Sequence, residues 1–67
     1  MSTTELHDHL NDLRYERALA QEAGLALQPA YMADLDQEIA ATRRAYVGAA
    51  VTEIATLRAE IAGPQLG

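Results

Sequence analysis

The residue types best suited to chemistry crowd into the start of the chain: Glu5, His7, Asp8, His9 and Asp12. Imidazole nitrogens and carboxylate oxygens are ordinary zinc or iron ligands. Glu5 and His9 lie four apart and would share one face of a helix. Helical di-iron sites, however, use Glu-x-x-His, and no Glu here has a His three positions on. The competing reading is a solvated polar face whose carboxylates complement the positive end of a helix dipole. That reading is preferred, and no metal ligand is assigned.

Other chemistries have less support. The single serine, Ser2, sits where a helix cap belongs, so no Ser–His–Asp set can be built. Cysteine is absent, which excludes disulfides, thiolate metal sites and cysteine nucleophiles. Gly24, Gly48, Gly63 and Gly67 are dispersed rather than gathered into a phosphate loop. The three tyrosines read as packing anchors with wet hydroxyls. No catalytic or cofactor-binding residue is assigned and no cofactor is expected. Nor is an enzyme, because a two-helix hairpin has no room for a closed pocket.

The elements that carry these residues are plain in the pattern. Ser2 and Glu5 form a capping box, which starts a first helix over about 3–23. Its apolar seam is Leu6, Leu10, Leu13, Arg17 and Ala20, with Tyr15 and Leu19 as a smaller stripe elsewhere. Gly24 suits a left-handed C′ position and opens a turn over 24–28. Pro29 suits the first position of a second helix running to about 62, where Gly63 and Pro64 end it before a short tail, 63–67. That helix would be about 51 Å long. Its large stripe is Met32, Leu35, Ile39, Arg43, Tyr46 with Val47, Ala50, Ile54, Leu57 and Ile61, a mean spacing near 3.6. That period fits a straight helix better than a left-handed coiled coil. A row of small residues, Ala41, Ala45, Gly48, Thr52, Ala55, Ala59 and Ala62, follows another face. It is either filler or a surface that another helix approaches closely.

The composition bounds what such a hairpin can do. The chain has 67 residues, 49% of them apolar, but 14 are alanine and only 14 are Leu, Ile or Val, with no Phe or Trp. So small a supply rarely makes a private core, and chains this short usually need a staple or a partner. The net charge of −5 and the isolated Arg43–Arg44 doublet argue against nucleic acid. No apolar run is long enough to span a membrane, and the first residues do not read as a signal peptide. All five basic residues are Arg, Lys is absent and Asn occurs once, which suggests a high-GC genome.

A turn of about five residues makes the helices antiparallel. Pairing Ala23 with Ala30 places Leu13 opposite Ile39 and Ala40, Leu10 opposite Arg43, and Leu6 opposite Val47. Arg17 then faces Asp36, a register pair that is either half-buried between the seams or reaches outwards to water. The first helix runs out near residues 48–50 of the second. Val47, Ala50, Val51, Ile54, Leu57 and Ile61 are left without cover and form the expected oligomer interface. The simplest closed solution is a two-fold dimer in which the C-terminal halves cross antiparallel into a helical bundle.

The segments 13–24 (LRYERALAQEAG) and 39–58 (IAATRRAYVGAAVTEIATLR) resemble short helical-hairpin proteins of tailed phages that infect actinobacteria. The resemblance spans about half the chain and implies a virion-associated or accessory role, in the host cytoplasm or the particle. It transfers no catalytic residue. The expected function is a non-enzymatic, self-associating structural or interaction protein. The alternative is an acidic regulatory module that docks on another, basic protein. A small metal-binding helical protein ranks third.

Overall fold

The computed structural model describes residues 1–62. Helix α1 spans Thr3–Glu22 and helix α2 spans Pro29–Ala62, with one 3-10 turn, Leu25–Leu27, between them. There is no strand among the described residues. The fold is an all-α helical hairpin with a long second helix. The stop expected at Gly63 and Pro64, and the tail 63–67, lie outside the described residues.

Local chemistry accounts for each boundary. The Glu5 N–H donates to the Ser2 hydroxyl at 3.1 Å, and the Ser2 N–H donates to the Glu5 carboxylate at 3.3 Å. Two helix-start donors are thereby satisfied reciprocally. The bond from the Ser2 N–H first, and the neighbouring Ser2 hydroxyl second, hold the Glu5 carboxyl below its ordinary pKa. At the other end Ala23 caps α1, and Gly24 turns the chain at φ 80°. The Gln28 carbonyl accepts the first bond of α2 from the Met32 N–H, so Pro29 costs the helix no donor.

Gly24 and Gly48 make a paired prediction of opposite sign. A Cβ at either position would meet nothing within 4 Å, so only backbone conformation matters. Gly24→Ala forces a side chain into the left-handed region and should cost about 1 kcal/mol. Gly48 lies inside α2 with ordinary helical φ, so Gly48→Ala should gain about 1 kcal/mol. Urea midpoints of the two variants measure both signs. A Gly48→Ala loss would show that something approaches the small-residue row closely.

Five apolar side chains form the core: Leu6, Leu10, Leu13 and Ala20 of α1 and Leu35 of α2, each 3–8% exposed. Thr42 is buried with them. The molecule is a rod of 62 × 16 × 13 Å with a radius of gyration of 17.5 Å. A compact chain of this length would measure about 11 Å. The rod shape explains the small core, because most of α2 has a neighbour on one side only.

Cross-helix side-chain pairs fix the register. Arg17 Nε donates to Asp36 Oδ1 at 2.7 Å, and the rings of His7 and Tyr46 lie 5.7 Å apart. His9 Nε2 lies 3.3 Å from Glu38 Oε1. The Thr3 hydroxyl donates to Glu53 at 2.6 Å. α1 therefore reaches Glu53, about a turn beyond the 48–50 expected, through a side-chain bond: a helical side chain leans toward its helix N-terminus, which brings the Glu53 carboxylate back to Thr3.

The facing of α2 needs a correction. Its buried and half-buried positions toward α1 are Met32, Leu35, Ile39, Thr42, Tyr46 and Ala49, leading to Glu53. Their spacing alternates 3 and 4, a 3.5 repeat, matched on α1 by Thr3, Leu6, Leu10, Leu13, Arg17 and Ala20. Arg43 and Val47, expected opposite Leu10 and Leu6, are exposed, and Thr42 and Tyr46 take the seam instead. Two helices kept in continuous contact follow the 3.5 repeat, so a 3.6-period stripe drifts off the seam by one residue over the length of α2.

Candidate functional site

The N-terminal polar group separates once α1 is formed. His7 turns toward Tyr46, Asp8 and Asn11, with its Nδ1 3.6 Å from Asp8 Oδ1 and 3.5 Å from Asn11 Nδ2. His9 turns toward Glu38 of α2. Successive residues point about 100° apart around a helix, so His7, Asp8 and His9 cannot converge. No three His, Asp or Glu among the described residues are grouped to hold a metal ion, and no pocket opens among them. Tyr31, on the first turn of α2, sits beside Glu16. Partial desolvation and then that carboxylate raise its phenol above the ordinary value.

Arg17 and Asp36 meet, but at a wet edge. Their side chains are 39% and 51% exposed. The Arg17 backbone lies on the seam, while its long stem carries the guanidinium out to water. Such a pair contributes little. A double-mutant cycle of Arg17→Ala and Asp36→Ala should give a coupling of about 0.2–1 kcal/mol, vanishing toward 1 M salt. A coupling that survives high salt would mean that the pair is shielded from solvent.

The largest chemical feature is apolar. Val47, Val51, Ile54, Leu57 and Ile61 are 52–59% exposed, and Ala50 beside them is half-buried. Comparison with protein-family models, curated proteins and solved structures finds no match. What the chain does must be read from this face.

The face has an order that the 3.6 count concealed. Val47, Ala50, Ile54, Leu57 and Ile61 also alternate 3 and 4. They form a second seam, displaced by one residue, or about 100°, from the seam that α1 covers. The first seam becomes polar beyond Ala49, with Glu53, Thr56 and Glu60. The second becomes apolar from Val47 onward, having Asp36, Ala40 and Arg43 before it. The apolar surface of α2 thus moves from one face to the next where α1 ends. The row of small residues lies on the back of this second seam, which favours the filler reading. Glu53 and Arg58 flank the second seam on opposite sides. Counting α2 in sevens rather than by a single mean spacing would have exposed both rows.

Proposed function

We propose that the protein is a non-enzymatic, self-associating structural subunit whose working surface is the exposed seam of α2. One observation carries this reading: among the described residues, five branched apolar side chains stay more than half exposed, as many as the five apolar residues of the core. Completing their burial in two copies is worth on the order of 10 kcal/mol gross. Exposed apolar patches of this kind mark association surfaces. The resemblance to phage helical hairpins fits an assembly role in or beside a virion.

The experiment is sedimentation equilibrium of the wild-type protein at micromolar concentration. The expected mass is an integral multiple of 7.3 kDa. A fully helical monomer would refute self-association. The net charge of −5 would then favour the regulatory reading, in which the seam and its acidic flank dock on a basic protein.

A further inference from the structure

From the geometry of the second seam we infer that the partner is a second copy of this chain running parallel and in register, α2 against α2, over residues 47–61. This rests on the self-association proposed above and adds its orientation. In heptad terms Val47, Ile54 and Ile61 take the a positions and Ala50 and Leu57 the d positions. β-branched residues at a with Leu at d favour two parallel strands. In register, all five rungs meet their own kind, and no apolar side chain faces a charge.

The flanking charges decide the direction. Parallel strands bring each g position against the partner's e position five residues on. Glu53 is at g and Arg58 at e, so the dimer forms two equivalent pairs, Glu53 with the partner's Arg58. The Thr3 hydroxyl already holds the Glu53 carboxylate at this edge, 2.6 Å away. Arg58 has no ion pair among the described residues.

Antiparallel strands oppose g with g and e with e. The register that stacks Val47 on Leu57 brings Glu53 to Glu53, Arg44 to Arg58 and Ile61 to Arg43. The next register brings Glu53 to Glu60. Like charges meet in both, so the antiparallel crossing expected from helix length alone is the poorer arrangement. N-terminal of Val47 the parallel seam would oppose Arg43 with Arg43 and Asp36 with Asp36. The zipper therefore stops where α1 takes over on the neighbouring face. α1 leaves Val47 and Ile54 exposed, because it lies over Tyr46 and Ala49 and bonds Glu53, with Ala50 between them half-buried.

The test uses the full chain, which has no native cysteine. Ile61→Cys alone should oxidise to a disulfide-linked dimer, since the two copies of residue 61 face each other. In the two antiparallel registers they would be about 27 Å and about 16 Å apart along the axis. A mixed disulfide between Val47→Cys and Leu57→Cys chains, or between Ala50→Cys and Ile61→Cys chains, with no variant linking to itself, overturns the parallel orientation while leaving self-association standing. A wild type that sediments as a monomer overturns both. Charge reversal provides a second measurement that needs no cross-link. Arg58→Glu should weaken dimerisation about tenfold, and Glu53→Arg with Arg58→Glu should restore it. If Arg58→Glu dimerises as tightly as wild type or more so, as an approach to the partner's Arg44 would allow, the parallel pairing is wrong.

Discussion

Ile54→Glu should dissociate the proposed assembly and remove much of its helix at micromolar concentration. Ile54 is the middle rung of the exposed seam, and in the proposed assembly its side chain would face a second copy. A carboxylate there would have to be desolvated or repelled by its mate, either costing several kcal/mol. It also adds a second negative charge beside Glu53. The hairpin core is too small to hold the chain folded by itself, so loss of the partner and loss of helix should coincide. Thr56→Glu, two positions on and off the second seam, is the control and should leave the mass unchanged. Sedimentation equilibrium and circular dichroism on the same samples check both. An Ile54→Glu protein that keeps the wild-type mass would place the interface elsewhere.

The hairpin was legible because its signals are local. Ser2 with Glu5, Gly24 and Pro29 each act within one turn of chain, and each marks its boundary within a residue. The α1 seam was legible too, since a stripe of five positions is too short for 3.5 and 3.6 repeats to diverge. Over the 34 residues of α2 they do diverge. A single stripe from Met32 to Ile61 merged two faces, which put Arg43 and Val47 on the wrong one. Counting in sevens separates the two rows, but only the position of α1 says which of them is covered, and that is tertiary information. The roles given to Glu53 and Arg58 were hidden for the same reason: a residue is a flank only once its seam is known. The His7, Asp8 and His9 group shows the reverse case. Its residue types suggested a ligand set, and the helical rotation between neighbours disperses it.

Leu10→Ala is the second change expected to have a large effect, through the other seam. Leu10 is 4% exposed and lies midway along the buried face of α1. Removing a buried leucine side chain costs about 2–5 kcal/mol, which is the whole stability that a core this small supplies. The variant should lose most of its ellipticity at 222 nm under dilute conditions. Leu27→Ala, at a position 85% exposed in the turn, should lose none. Leu10 does not lie on the α2 seam, so the Leu10→Ala chain keeps an intact association surface. Raising its concentration should therefore restore helix by mass action, because a second copy binds only the folded form. Ile54→Glu, whose defect is in that surface, should not be rescued in the same range. Ellipticity of the two variants across a hundredfold dilution series thus separates the folding seam from the association seam. If Leu10→Ala stays fully helical at every concentration, the Leu10 contact contributes little to the fold.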